Sequence, residues 1–420
     1  MNRRSNDGGN VAVGLDLGST KIAVVIAELD AYGRMKIIGV GHCPSEGLRR
    51  GVVVDVDKTV LAIRRAVQEA ELMSGVDVLA VNTAVAGEHI GSLNSRGVVA
   101  VSGMGGEISE SDKARVIEAA RAVTVAGGNQ VLHVLPQEFF VDGQGGIRDP
   151  VGIAGVRLEA DVHMVTGSTT AIQNIRNSIV RAGLTVHEVV LQPLAASHAV
   201  LSDEEREMGV CLIDIGGGTT DVALFSLGSI HHTRVLGLGG HNVTTDIAVG
   251  LRTAWTQAEA IKRGWGAALP DMVTGEETVE VPGIAGRQPH RVERRKLASI
   301  IGMRMEEIFA LVRDELRAAG FTRPPGAGVV LTGGGALIHG SAELAEGVFD
   351  LPVRIGHAEN VAGVADRIST PDYATAVGLA CMGLSRLAVD AGGQPGGAAW
   401  RARRSPVWWR TMVEWIQALL

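Results

Sequence analysis

A duplicated α/β fold is what three features of this 420-residue chain predict. A strand–Asp–Gly-turn–strand unit occurs twice, once over Gly14–Thr20 and again over Leu212–Thr220. A third glycine-rich turn, Gly333-Gly334-Gly335, follows the apolar run Val329–Thr332. The composition, 46% hydrophobic and 20% charged with 56 glycines, suits an α/β protein with many tight turns. Two unrelated hairpins could each end in Asp-x-Gly. Duplication is the better reading, because each unit closes a continuously apolar strand and stands once per half.

The elements follow from periodicity. Val11–Leu17 and Ile22–Leu29 read as strands around the turn at Gly18–Thr20, with a third strand near Met35–Gly41. Over Asp57–Met73, Val60, Ile63, Val67 and Ala70 fall on one helical face. Val78–Ala86 returns as a buried strand, and the second half repeats the pattern with strands over Val210–Ile215 and Val222–Leu227. Residues 87–163 do not repeat and read as a small inserted α+β domain. Ser109-Glu110-Ser111-Asp112 starts its helix like a capping box, and strands flank it at Gly97–Val101, Val131–Val141 and Asp161–Val165. The resulting division gives a disordered N-terminus (1–10) and a first half (11–86 and 164–206) carrying the insert. A second half (207–242 and 326–390) follows with its own insertion (243–325), then a Gly/Pro-rich linker (391–404) and a terminal helix (405–420).

Bulk chemistry excludes several classes. A net charge of −7 argues against broad nucleic-acid affinity, which needs a basic face. Cys43, Cys211 and Cys381 lie far apart in apolar runs with no metal-ligand spacing, which points to a reducing cytoplasm. Met1–Asn10 lacks the apolar stretch of a signal peptide, and no run of about 18 apolar residues spans a bilayer.

Chemistry concentrates at the three turns. Gly18 permits a tight turn whose N–H groups can approach phosphate oxygens, while Ser19, Thr20 and Lys21 add hydroxyls and a positive charge. Gly216, Gly217, Gly218, Thr219 and Thr220 repeat the device from the other half. Asp16 and Asp214 end their strands beside these turns. Two carboxylates next to a polyphosphate make sense with Mg²⁺, held through its waters, between them. Gly333, Gly334 and Gly335 offer bare backbone to a base or ribose, and a helix start there would favour anions.

The order of these motifs resembles the ATPase superfamily of actin, Hsp70 and sugar kinases, which implies an actin-like (ribonuclease H-like) duplicated ATPase fold. The segments Val189–Ala196 and Ala374–Ala380 are similar to its two connecting segments. Within it the chain resembles the FtsA-type cell-division proteins, through Val52–Asp57, Pro136–Phe140, Thr166–Gln192, Gln257–Lys262, Val281–Gly283, Arg287–Pro289 and Val353–Gly356. The insert at 87–163 also stands where those proteins carry a domain.

That resemblance implies ATP and Mg²⁺ as ligands. Asp16 and Asp214 would order Mg²⁺. Gln192 would stand near the attacking water, although a polar residue there could equally cap a helix. Glu259 and Lys262 would touch ribose and adenine, or else form a plain exposed i, i+3 pair. Gly239 and Gly240 would lie near the sugar. Asp221 could be offered as a base, but stabilising its own turn is the simpler role. No second cluster of acceptor-binding residues is visible, so turnover is at most slow and serves assembly.

The resemblance further implies partners: the C-terminal peptide of FtsZ, other copies of the chain, later division proteins through the insert, and the anionic inner membrane at the division site, on its cytoplasmic side. Arg287, Arg291 and Arg304 would hold the peptide, or form a solvated helix face. The alternatives are the type IV pilus actin-like assembly proteins, rod-shape filament proteins, and a small-molecule kinase of the same superfamily.

Four of the six tryptophans fall in the last 21 residues. Ser405-Pro406 is a helix start, and Trp408, Met412, Trp415, Ile416 and Leu419 share one face, widened by Trp409, Val413 and Leu420. Sixteen residues reach roughly 24 Å, too short for a core of about 30 Å, so the helix would lie in the interface. Arg401, Arg403, Arg404 and Arg410 against Glu414 give residues 400–420 a net +3, leaving −10 on the rest. A helix docked on the body's own core is the alternative.

Overall fold

The computed structural model describes residues 4–6, 10–30, 33–274, 276–284, 286–321, 324–359, 361–364, 366 and 368–390. Two sheets of the same design form its centre. In the first half, Val11–Leu17, Lys21–Leu29 and Met35–Pro44 make an antiparallel meander. Ala80–Val85 and then Thr185–Leu191 add in parallel on the other side of Val11–Leu17. In the second half, Val210–Ile215, Thr220–Ser226 and Ser229–Leu236 make the meander, and Val329–Thr332 and Val353–Ile355 are the parallel pair. Both sheets therefore share the order third–second–first–fourth–fifth, so the duplication read from the Asp–Gly turns extends to five strands of each, and the short strand Ala362–Gly363 adds to the first beyond Met35–Pro44. The central strands are buried on both faces, which is why they read as unbroken apolar runs.

Helix Val56–Ser74 covers the first sheet with Val60, Ile63, Ala66 and Ala70. Asp55 caps its N-terminus and Gly75, in the left-handed region, ends it. Two linking helices cross between the halves. Gln192–Val200 leaves the first sheet and packs on strands Val210–Ile215 and Thr220–Ser226 of the second. Ala374–Asp390 leaves the second half and packs on Val11–Leu17 and Lys21–Leu29. The division that gave 326–390 wholly to the second half is thus corrected: this helix belongs to the first core, because its Ala376, Val377, Leu379 and Ala380 are buried there.

The insert is an antiparallel sheet in the order Gln144–Ile147, Asn129–Val141, Arg157–Ser168, Gly91–Ala100, with helix Glu110–Arg121 on one face. Ser109 accepts from Asp112 N and the Asp112 carboxylate accepts from Ser109 N, a capping box with aspartate in the third position. All three strands start earlier than the sequence reading and Arg157–Ser168 also ends later, while the short strand Gln144–Ile147 was missed. Arg157–Ser168 runs on into the first half, so the boundary at 163 falls within a strand. The second insertion holds helix Trp255–Trp265, the hairpin Thr278–Val281/His290–Glu293 and the 25-residue helix Arg294–Ala318. Within the N-terminus expected to be disordered, Arg4–Ser5 pairs with Val76–Asp77. Asn6 is buried, exchanging hydrogen bonds with Leu79 N and Ala80 O. The linker and terminal helix, 391–420, lie outside the described residues.

The linking helices cross so closely that a Cβ on Gly378 would sit 1.8 Å from the Ala195 carbonyl oxygen. By contrast, Gly347 in helix Ser341–Phe349 meets nothing within 4 Å. Gly378→Ala should lower unfolding free energy by about 1–3 kcal/mol. Gly347→Ala should raise it by about 0.5–1 kcal/mol. Urea-denaturation midpoints moving in opposite directions would bear out this crossing.

Candidate nucleotide-binding site

The two Asp–Gly turns close with the same hydrogen bond, Gly18 N to Lys21 O (3.1 Å) and Gly216 N to Thr219 O (2.9 Å). They face each other across the gap between the halves and touch. A Cβ on Gly217 would come 2.0 Å from Thr20 Oγ1, and one on Gly218 2.7 Å from Ser19 Oγ. Helix Gly240–Leu251 begins against the second turn, where Gly240 N and His241 N donate to the carbonyls of Gly216 and Gly217. Its His241 ring reaches over to Thr20 Oγ1 at 3.2 Å.

Beneath the turns lies buried acid. Asp214 is 3% exposed; its Oδ2 accepts from Gln192 Nε2 (3.0 Å) and Thr375 Oγ1 (3.3 Å). Gln192 is therefore no helix cap: it opens helix Gln192–Val200 but gives its amide to the carboxylate. Asp221 pairs opposite Asp214 on the next strand and accepts from Thr219 Oγ1 at 2.9 Å. Burial first, and then the charge of Asp214, push the Asp16 carboxyl up to about 7. Burial also raises Asp214, and raises Asp221 well above the usual carboxylate range. Lys21, the nearest cation, is lowered by burial and is already held by the Asp372 carboxylate, with its ammonium 3.4 Å from the centre of the Tyr373 ring.

Such a cluster suits a divalent cation. Among the described residues no three His, Cys, Asp or Glu side chains converge closely enough to hold a metal directly. The donor set therefore fits Mg²⁺ kept largely hydrated and bound through its waters, the usual habit of that ion beside phosphates.

The third turn closes the far side. Val329–Thr332 lies parallel to Val210–Ile215, with Asp214 opposite Thr332. Gly333 has φ 81°, and a Cβ there would lie 2.2 Å from Asp214 Oδ1. Gly334 is open, meeting only Asp372 Cβ at 3.8 Å. The expected helix start is corrected: Gly334–Leu337 forms a single 3₁₀ turn, and the α-helix begins at Ser341, turned away by Gly340 in the left-handed region. Anion binding by a helix N-terminus is therefore not what this turn offers.

Across from it, Glu259 and Lys262 are 19% and 10% exposed and paired at 2.6 Å. Lys262 Nζ also donates to Gly240 O and Thr244 Oγ1, and Arg263 Nε meets Glu259 Oε1 at 3.2 Å. They are not an exposed surface pair. Together these groups line a cleft of about 690 Å³. Of the expected residues, Asp16, Gly18–Lys21, Gln192, Asp214, Gly216–Thr219, Gly240, Glu259, Lys262 and Gly333–Gly335 line it. Thr220 and Gly239 do not: Thr220 Oγ1 donates to Leu238 O, and Gly239 backs onto the carbonyls of Gly216, Gly217 and Thr219.

Sequence reasoning missed His241, Arg263, Arg294, Asp372 and Thr375 in the lining. A signal existed for three of them. Thr375 lies within the Ala374–Ala380 segment, Asp372 stands two residues before it, and His241 directly follows Gly239-Gly240. Among the basic residues of the second insertion, Arg287 and Arg291 are exposed, whereas Arg304 is held by Asp246 (2.6 Å) and Glu307.

Two like halves hinged at crossing helices, with a cleft closed by facing glycine turns, define an actin-like ATPase fold. Solved structures agree. The PilM–PilN type IV pilus biogenesis complex matches with a TM-score of 0.66 at 19% identity, covering 89% of this chain and 98% of that one. MreB5 of Spiroplasma citri bound to ADP matches at 0.54 and 15%, covering 91% and 99%. In sequence, the family described as Cell division protein FtsA matches residues 211–378, and the SHS2 domain inserted in FTSA matches 87–166. Cell division protein FtsA of Pseudomonas aeruginosa is 43% identical over 378 residues, 90% of each chain. That of Escherichia coli K12 is 42% identical over 376, covering 88% of this chain and 89% of its own. The chain belongs to the FtsA family and is an actin-like cell-division protein. The pilus protein shares its fold.

The raised Asp16 carboxyl makes a testable demand on the unliganded protein. Its folded value lies above the ordinary 3.8, so the native state binds the extra proton between about 4 and about 7. Stability from this group is fully present below about 4 and is lost as pH rises towards 7. Asp16→Asn should match wild type near pH 4 and exceed it above pH 7, by on the order of 1–4 kcal/mol. Urea titrations across that range, without Mg²⁺ or nucleotide, check it.

Proposed function

We propose that this chain binds Mg·ATP in the cleft, assembles into filaments, and ties FtsZ to the cytoplasmic face of the inner membrane at the division site, helping to recruit later division proteins. The observation that carries the reading is the contact of the two glycine turns directly above the buried carboxylates Asp16 and Asp214. Backbone N–H groups and the hydroxyls of Ser19 and Thr20 would bind phosphate oxygens, while Thr219 keeps its hydroxyl on Asp221. Mg²⁺, when bound, supplies the positive charge that these carboxylates and the phosphates lack. Asp214 is oriented by Gln192 and Thr375, so Gln192 stands ready to align a water beside the phosphates. Glu259 and Lys262 hold each other in place for ribose and adenine, and Gly334 leaves room for the adenosine. With no acceptor-binding cluster among the described residues, turnover would be slow and serve assembly.

The exposed Arg287 and Arg291 suit the C-terminal peptide of FtsZ, while Arg304 supports that surface through Asp246 rather than as a free charge. The insert would meet neighbouring subunits and later division proteins. No helix among the described residues is long and apolar enough to cross a membrane, so attachment would rest on the amphipathic segment 405–420. Residues 391–404 would serve as its tether. A pilus-assembly role is less favoured, because identity to the pilus complex is 19% against 43% to the division protein.

Asp214→Ala should abolish Mg·ATP binding by calorimetry. Gly334→Val, which the open backbone accepts without strain, should fold normally and lose about tenfold or more in affinity, at 1.4 kcal/mol per decade. Unchanged affinity in both would remove nucleotide from this cleft. Truncation after Ala399 should leave a folded, ATP-binding protein that no longer sediments with anionic liposomes. Sedimentation equal to that of the full chain would place the anchor elsewhere.

A further inference from the structure

The insert is built into the first half yet hydrogen-bonded to the second. On the first-half side, strand Arg157–Ser168 leads directly into helix Thr169–Arg181. Leu191 N donates to His133 Nε2 at 2.9 Å, and Ile90, Leu135 and Val165 are buried in the first-half core. Insert and first half therefore move as one piece.

On the other side stands Ser229–Leu236, the outermost strand of the second sheet. Its outward carbonyls have no strand to pair with, and such edges need covering. A register shift makes His231 an extra residue between Ile230 and His232. The insert covers this edge with side chains. Ser92 Oγ donates to Thr233 O (2.9 Å), Asn94 Nδ2 to His231 O (3.3 Å), and Gln137 Nε2 to Ile230 O (3.0 Å). Ser229 Oγ returns a bond to Gln137 O at 3.2 Å. His163 is clamped between Asn94 Oδ1 (2.7 Å) and Thr233 Oγ1 (2.9 Å), and Arg148 pairs with Glu207 of the second half.

We propose that the insert is a strap across the two halves, and that Ser92, Asn94, Gln137 and His163 are positioning residues for nucleotide binding although none of them lines the cleft. The proposal rests on the reading that the cleft takes a nucleotide. Parting the two glycine turns requires the second half to rotate about the helix crossing at Ala195 and Gly378. That rotation carries Ser229–Leu236 away from the insert and strains the whole row of bonds together. Docking of the insert and closure of the cleft are then one equilibrium, and linkage makes the effect reciprocal. Whatever pulls the insert off this strand loosens nucleotide, and bound nucleotide tightens the insert.

The test is the double variant Asn94→Ala/Gln137→Ala, whose side chains lie outside the apolar cores and whose loss should leave the circular-dichroism spectrum unchanged. Spin labels at Val98→Cys on the insert and Val249→Cys on the second half, both exposed, report the docking directly in a Cys381→Ser background. Without nucleotide, the double variant should show a longer and broader distance distribution than its parent. Its Mg·ATP affinity should fall about tenfold, within the usual range for coupled sites. An unchanged distribution overturns the strap whatever the cleft binds. A broadened distribution with unchanged affinity overturns the coupling. A parent that binds no nucleotide overturns the cleft reading and the coupling with it, while the distance measurement still reports the docking.

Discussion

Two carboxylates buried between two halves cannot both carry charge without a cation to face, and the architecture around the cleft is arranged about that constraint. Asp16 and Asp214 end equivalent strands of duplicated sheets, so the symmetry that builds the fold also brings like charges together. Burial and mutual repulsion push Asp16 up to about 7. Lys21, which faces Asp16, is engaged by Asp372 and Tyr373. A hydrated divalent ion with a polyphosphate would relieve this and join the two turns at once.

Everything else positions those turns. Helices Gln192–Val200 and Ala374–Asp390 each carry one half onto the other and pack closely where they cross at Gly378, leaving no room there for a side chain. Gln192 and Thr375, at the starts of these helices, both bond to Asp214. The helix crossing is thereby tied to Asp214 of the acid pair. In a family of cell-division proteins, such a tie would let the state of the cleft set the shape presented to a neighbouring subunit.

Much of this was legible in the sequence, for identifiable reasons. The turns at Gly18, Gly216 and Gly333 announce themselves because apolar strands end on them, and the helix Val56–Ser74 because its apolar face recurs with helical period. What stayed hidden depends on contacts between distant positions. Asp372 reaches Lys21 across 351 residues, Arg304 meets Asp246 across 58, and the insert touches Ser229–Leu236 through scattered polar side chains. None of these leaves a periodic trace. The two-residue strand Arg4–Ser5 is too short to show a pattern, and the 3₁₀ turn after Gly333 looks like a helix start until Gly340 is seen to redirect the chain.

If metal and nucleotide relieve the buried acid pair, proton release on binding measures it most directly. Calorimetry of preformed Mg·ATP binding in buffers of differing ionisation enthalpy gives the protons set free. Near pH 6.5 the wild type should release about one more proton than Asp16→Asn, because Asp16 must ionise to face the cation. The difference should vanish by about pH 9, where that carboxyl is already charged. Equal proton release from both proteins at every pH would contradict the account.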